Sequence, residues 1–343
     1  MKVTSQHYKQ YLIGTQINYT CDYMSEFTEF SGDGVERFLK GSKLKPSFIW
    51  EQVSGEIVLS SKGSLIIDKV VLEHKGATKI ECAYKQWSGS SHAIVMGVGV
   101  INLVYYNPEL DRFWIIDCRV WDRQVDGKKE TELAMELLKL NTKRIGLSNF
   151  YSILFDSFYA SGEILRYIGM DLRKIFYTNL PAGRNCIEVE ELIKPDQQYT
   201  QIKNLDWTDK ELIYGKMIYL KDIPKSMPVK LFSVASSERR IDNLCTNDIE
   251  NSTDVTVTQE ESSKRWKVEQ FHREIKQTLG IAKCQCRKNR SQRNHIICSM
   301  LSWVYLTKQA IIHFTTIYQI KKKQLDEYMH STMKNPYWKY EGV

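Results

Sequence analysis

Apolar residues recur with two different periods along this chain, and the changes of period divide it. In residues 4–56 the spacing is helical. "SQHYKQYL", "TQINYTCDYMSEF", "SGDGVERFLK" and "PSFIWEQV" each set apolar side chains three or four positions apart. Ser31 or Asp33 is suited to cap the third segment and Pro46 to open the fourth. The second and third, joined by "TEFSGDG", match a helix-turn-helix in length over 17–40. A plain helical subdomain accounts for the same spacing.

The period then shortens. "GSLIIDKVVL" (63–72) predicts a strand ending near Asp68. "AIVMGVGVINLVYY" (93–106) and "RFWIIDCRVW" (112–121) predict two more, separated by the turn "NPEL". "KETELAMELLKLN" (129–141) is an amphipathic helix. "YSILFDSFYAS" (151–161) is a strand that stops at Asp156 and runs into the helix "FYASGEILRYIG", and "RKIFYTNL" (173–180) is a further strand. This alternation predicts an α/β sheet with crossovers. Residues 185–250 break it: "YTQIKNL", "KELIYGKMIYLKDI", "MPVKLFSVAS" and "RRIDNLCTN" read as consecutive strands, an all-β insertion. Ser252 or Asp254 then opens a helical end that runs to about Lys323. The expected divisions are 1–58, 59–184, 185–250, 251–325 and a tail at 326–343.

Within the helical end, "RWKVEQFHREIKQTLG" (265–280) carries two stripes. Val268, Phe271, Ile275 and Leu279 form an apolar one. Arg265, Glu269, His272 and Lys276 fall within about 60° of one another at roughly 100° per residue. Such a charged stripe is ordinarily a solvated face with i,i+4 ion pairs. Charge elsewhere changes the picture. The net charge of the 343 residues is only +7. Yet from Ile275 to Leu325 there is no Asp or Glu, while "KCQCRKNRSQR" and "KKK" supply cations, Arg287 and Lys288 among them. One-sign segregation of this kind suits a polyanion.

The apolar fraction of 42% is that of a globular protein. "MKVTSQHYKQYL" lacks an apolar signal core, and "IICSMLSWVYL" is too short to span a bilayer, so neither a secretory leader nor a membrane span is expected. Eight Cys without framework spacing suggest reduced thiols and a cytosolic protein. Cys284, Cys286, His295 and Cys298 offer four zinc ligands, but Cys-x-Cys followed eight residues later by His-x-x-Cys is not a common zinc spacing. Core packing is the competing expectation for His295 and Cys298.

Three carboxylates remain as candidate chemistry. Asp68 and Asp156 are expected at strand ends, where reactive groups gather in open α/β sheets, although strand-end Asp residues more commonly serve as turn residues. Glu269 sits on a helix whose apolar face is suited to pack on that sheet. Three such carboxylates could hold two hard divalent cations for chemistry at phosphorus.

In these residues the chain resembles bacterial insertion-sequence transposases of the Asp-Asp-Glu class. More narrowly, it resembles the group with a β-strand insertion before the catalytic Glu. That group's Tyr-x-x-Arg-x-x-x-Glu-x-x-x-x-x-x-Lys signature is matched by Arg265, Glu269 and Lys276. "RWKVEQFHREIKQ", "LFDSFYAS" and "CTND" match its wording, over about 45–325. The resemblance implies a ribonuclease-H-like α/β core carrying an all-β insertion, with a DNA-binding helical subdomain before it and a helical segment after. It implies cut-and-paste transposition, with Asp68, Asp156 and Glu269 binding Mg²⁺ (Mn²⁺ able to substitute). Arg265, Lys276, His272, Arg273, Arg287 and Lys288 are the implied DNA contacts. Terminal inverted repeats and target DNA are the implied partners, with a homodimer on DNA in the cytoplasm at the nucleoid. Two departures stand out: Ser262 replaces the signature Tyr, and Asp68-Lys69-Val70 replaces Asp-Asp-Thr or Asp-x-Thr. An ammonium beside Asp68, softened if strand alternation points Lys69 to the opposite face, and a missing hydroxyl predict an impaired enzyme, or a DNA-binding descendant without strand transfer.

Overall fold

The computed structural model describes residues 2–76, 78–190, 198–237 and 240–334. Four helices come first: α1 (Ser5–Gly14), α2 (Cys21–Ser25), α3 (Gly32–Gly41) and α4 (Ser47–Val53). Thr20 and Ser31 cap α2 and α3 through their hydroxyls. α2 is much shorter than the expected helix "TQINYTCDYMSEF", because α1 ends at Thr15 in extended backbone and Thr20 restarts the chain as a cap. Val35 and Leu39 of α3 are fully buried.

Strands β1 (Ser64–Glu73), β2 (Tyr84–Ser88), β3 (Ala93–Asn107) and β4 (Arg112–Trp121) follow. β3 pairs antiparallel with β1 along one edge and with β2 and then β4 along the other. After α5 (Arg123–Asp126) and α6 (Glu130–Ile145), β5 (Ser152–Phe155) returns parallel to β1, and β6 (Ile175–Leu180) lies parallel to β5 beyond α7 (Gly162–Arg166). An antiparallel trio joined to two parallel strands through helical crossovers is the ribonuclease-H-like core that was expected.

The stretch 185–250 supplies β7 (Asn185–Glu188), β8 (Thr200–Gln201), α8 (Asp209–Tyr214), β9 (Lys216–Leu220), β10 (Val229–Ser237) and β11 (Arg240–Thr246). It is therefore not all-β. "KELIYG" is helical because Thr208 and Glu211 form a reciprocal cap, and Gly215, at φ 76, turns the chain into β9. "YTQIKNL" gives a two-residue strand and then a single 3₁₀ turn, Ile202–Asn204. β11 pairs with β6, so the segment extends the main sheet to eleven strands instead of forming a separate one.

Asp254 caps α9 (Val255–Ser263), which leads into α10 (Trp266–Leu279), α11 (Asn289–Ile312) and α12 (Ile317–Lys334). α12 continues past 326, where a tail was expected; residues 335–343 of that tail lie outside the described ones. Among the described residues no helix is long and apolar enough to cross a membrane.

The sheet separates two cores. Ile66, Val70 and Leu72 of β1 face a cluster with α1, α3, α10 and α11, whereas Leu65 and Ile67 face the cluster built on α6. Val268, Phe271, Ile275 and Leu279 are wholly buried, each stabilising the docking of α10 by roughly 1.5–3 kcal/mol. Phe271 meets Trp303 of α11 edge-on at 4.9 Å, and the Trp303 indole donates to the buried Glu274 carboxylate at 3.0 Å.

Candidate active site

β1 and β5 bring the two aspartates side by side. Ile67 is in register with Phe155, so Asp68 and Asp156 are the next residues on neighbouring parallel chains. Asp156 ends its strand, as expected. Its carboxylate turns back to accept the Phe158 N–H at 3.0 Å. Asp68 does not end its strand: β1 continues to Glu73 because β3 goes on pairing with it after β5 has stopped. Asp68 is thus a carboxylate within a sheet, only 9% exposed.

The third carboxylate arrives on α10. The Arg265 guanidinium lies 2.8 Å from Glu269 Oε1 and 3.8 Å from Asp68 Oδ2, and so links the helix to the strand. Burial, and then the charge of Asp156, push the Asp68 carboxyl up to about 7 against the opposing pull of Arg265. Asp156 is likewise raised by burial, with Arg265 opposing. Three hard oxygen donors, two of them in surroundings that disfavour their ionisation, are a donor set suited to a divalent cation. In this arrangement Arg265 provides the positive charge. Among the described residues no three His, Cys, Asp or Glu side chains close directly around a common point.

Two further residues hold α10 in place. The Nε2 of His272 is 2.8 Å from the amide of Asn102, the residue opposite Asp68 in the β1–β3 register. His272 is buried, and burial, then Lys276 and Arg265, push it down to about 3. It is a neutral strut between helix and strand, not the cationic DNA contact expected from the sequence. Asn102 was missed, although it is a lone polar residue within "GVGVINLVYY". Lys276 is half-buried, which lowers its amine. Arg273, Arg287 and Lys288 are exposed.

Lys69 does not face Asp68. Its side chain emerges on the α6 side of β1 and its amine binds both carboxylate oxygens of Glu130 at 2.8 and 3.0 Å. The expectation of an ammonium competing beside Asp68 is corrected by the alternation of the strand. Val70 does share the Asp68 face and is packed in the core. Because the Glu130 side chain is only 4% exposed, Lys69→Met should leave an uncompensated buried carboxylate and cost on the order of 3 kcal/mol in chemical denaturation. The double variant Lys69→Met, Glu130→Leu should recover most of that loss. Equal stability of the single variant and the parent would refute the pairing.

The basic tract is less one-signed in space than in sequence. Lys288 meets Glu81 at 2.6 Å, Arg293 meets Asp126 at 3.5 Å and Lys308 meets Glu56 at 2.5 Å. Lys321 is buried and donates to carbonyls at the ends of α1 and α10. Among the described residues Cys284, Cys286, His295 and Cys298 do not gather as a metal-binding group. Both His295 nitrogens are engaged, by the Tyr8 hydroxyl and the Gly280 carbonyl, and Cys298 is buried in the core.

Residues 123–305, more than half of the chain, match the model of the transposase DDE domain. The chain belongs to the DDE transposase family. The matched span holds Asp156 and Glu269 but begins after Asp68. The DDE family implies strand cleavage and strand transfer with divalent metal ions. A search of curated protein sequences finds no match. Among solved structures, the chain is similar to a cryo-EM structure of a piggyBac transposase synaptic complex with hairpin DNA. The TM-score is 0.51 at 7% identity, over 98% of this chain and 73% of that one. At that identity the likeness is one of fold, and it fits the ribonuclease-H-like core of this DDE transposase.

Proposed function

We propose that this chain cuts and joins DNA as the transposase of an insertion sequence, with Asp68, Asp156 and Glu269 as its metal-binding carboxylates. The juxtaposition of Asp68 and Asp156 on β1 and β5, with Glu269 tied to Asp68 through Arg265, carries this reading. The three carboxylates would hold Mg²⁺ or Mn²⁺, which when bound would activate a nucleophile and stabilise the leaving oxygen at phosphorus. Asn102 and His272 fix the helix so that Glu269 returns to the same place. With its carboxylate partners engaged by metal, Arg265 would be free to turn to a DNA phosphate, and Lys276 lies about three turns further along the same stripe. Helices 1–58 are read as the part that recognises the element ends. The active form is read as a homodimer, since an element has two ends to be joined in one event.

The altered Asp68-Lys69-Val70 stretch supports a second reading, a DNA-binding descendant that no longer cleaves. The position of Lys69 on the far face weakens the case for impairment and leaves it resting on Val70. One experiment separates the two: nicking of supercoiled plasmid by purified protein with Mn²⁺ or Mg²⁺. Metal-dependent nicking that vanishes with EDTA is the expected result. Plasmid binding with no nicking under either metal would favour the descendant.

A further inference from the structure

Three of the eight cysteines meet where the N-terminal helices lie against the loop that follows α10. Cys21 opens α2, and Cys284 and Cys286 lie in the loop 280–288 between α10 and α11. The Cys21 and Cys284 thiols both hydrogen-bond to the Cys286 sulfur. Several contacts hold the loop in this position. The Gln292 amide donates to the Cys284 and Cys286 carbonyls at 3.0 and 2.7 Å, and the Arg287 carbonyl accepts the Glu81 N–H at 2.9 Å. Gly280, at φ 56, sits so close to the Tyr19 ring that a Cβ would not fit, so the end of α10 is pressed against the approach to Cys21.

Exposure and charge single out two of these thiols. Cys21 and Cys286 are partly open to solvent, whereas Cys82, Cys118, Cys186, Cys245, Cys284 and Cys298 are buried. Hydrogen bonds from Cys21 and then Cys284 hold the Cys286 thiol well below the usual range. Burial pushes Cys82, Cys118, Cys186, Cys245 and Cys298 up. Among the described residues the three sulfurs do not gather as a metal-binding group. Their pairwise contacts suit bond formation between sulfurs instead.

We propose that Cys286 is a modification site for low-molecular-weight disulfides of the glutathione type, and that Cys21 resolves the adduct into a Cys21–Cys286 disulfide. The Cys286 thiolate attacks one sulfur of the small disulfide, whose S–S bond breaks and releases one thiolate. The Cys21 thiol then gives up its proton and attacks the Cys286 sulfur, and the second small thiolate leaves. Two electrons pass from the protein thiols to the small disulfide, both halves of which depart as thiols. Lys283 and Arg287, both exposed beside the pair in sequence, suit the carboxylates that glutathione carries. Cys21 is the resolving thiol because it is open to solvent and comes from a separate element. A bond from Cys284 to Cys286 would close a ring across a single residue, against the preferred disulfide geometry. The product ties α2 to the loop behind the helix that carries Glu269, and a reductant releases it. This chemistry does not depend on the DNA-cleaving reading.

The test uses the full chain, reduced, then incubated at pH 7 with oxidised glutathione, quenched with acid and peptide-mapped by mass spectrometry. The parent should yield a linked Cys21–Cys286 peptide pair that dithiothreitol removes. Cys21→Ser should accumulate the glutathione adduct on Cys286, and Cys286→Ser should form neither adduct nor link. Iodoacetamide at pH 6 should label Cys286 at least about tenfold faster than any other cysteine of the folded parent. The linked parent should melt at a higher temperature than the reduced one, because the bond closes a long loop. A map in which no product contains Cys286, or alkylation of Cys286 no faster than that of Cys82 or Cys118, overturns the proposal on the parent alone, whether or not the variants fold. A Cys284–Cys286 product in place of the expected pair overturns the role given to Cys21.

Discussion

Glu269→Gln is expected to abolish metal-dependent nicking, by at least a factor of 10³, while DNA binding in EDTA changes by less than about threefold. The carboxamide keeps the shape of the side chain and can still accept from Arg265, so α10 should stay docked. What it loses is the negative charge that a divalent ion requires. The hydrophobic anchoring of α10 through Val268, Phe271, Ile275 and Leu279 is remote from this change, so thermal stability should be nearly the parent's. Plasmid nicking, anisotropy and a thermal melt on one preparation provide the three readouts. A variant that nicks at the parental rate would remove Glu269 from the chemistry. A variant that melts far below the parent would show that the ion pair with Arg265 is structural.

Asp68→Asn should act in opposite directions on activity and stability. Nicking should be lost. In EDTA at pH 8, however, the variant should be more stable than the parent, by an amount bounded at about 4 kcal/mol for a carboxyl raised from 3.8 to about 7. The sign follows from proton binding. Between pH 4 and pH 7 the folded parent holds a proton on Asp68 that the unfolded chain has released, so its stability falls as pH rises through that interval. Above pH 7 the folded parent carries the full cost of a buried charge, which the Asn variant never bears. The advantage of the variant should therefore be largest at pH 8 and should fade towards pH 4. Mg²⁺ or Mn²⁺ should raise the melting temperature of the parent and leave the variant unmoved. Melts at the two pH values, with and without metal, provide the check. An advantage that grows on acidification would contradict a raised Asp68.

The sequence revealed most of the architecture because its two hydrophobic periods are clean. The strands at 93–107 and 112–121, the stop at Asp156 and the apolar stripe of α10 all follow from spacing alone. Errors arose where a local pattern had a tertiary competitor. β1 was expected to end near Asp68 because Asp is uncommon within strands, but β3 supplies a partner on the far side. "KELIYG" has enough aromatic and branched residues for a strand, yet the reciprocal cap of Thr208 and Glu211 makes it helical. His272 shares a charged stripe with Arg265 and Glu269, but that stripe borders the core, and at Asn102 the helix meets β3. The cationic run after Ile275 appeared unopposed because its partners, Glu56, Glu81 and Asp126, come from elements far away in the chain. Glu130 carries no motif at all. Its relevance lies in the Lys69 amine that the fold sets beside it.

The opposite orientations of Asp68 and Lys69 have a consequence for how β1 finds its partners. The strand "SLIIDKVVLE" is apolar on both faces, so its Leu, Ile and Val residues distinguish poorly between the correct alignment with β3 and β5 and one displaced by a single residue. The adjacent acid and base do distinguish them. A displacement by one in one direction would put Asp68 in the place of Lys69, carboxylate against the Glu130 carboxylate, and in the other direction would put Lys69 in the place of Asp68, cation against the Arg265 cation. The two neighbours thus form a polarity key, by which a strand misaligned in either direction meets one like-charge contact. The departure at Lys69, viewed this way, guards the fidelity of folding around the residue it was expected to disable.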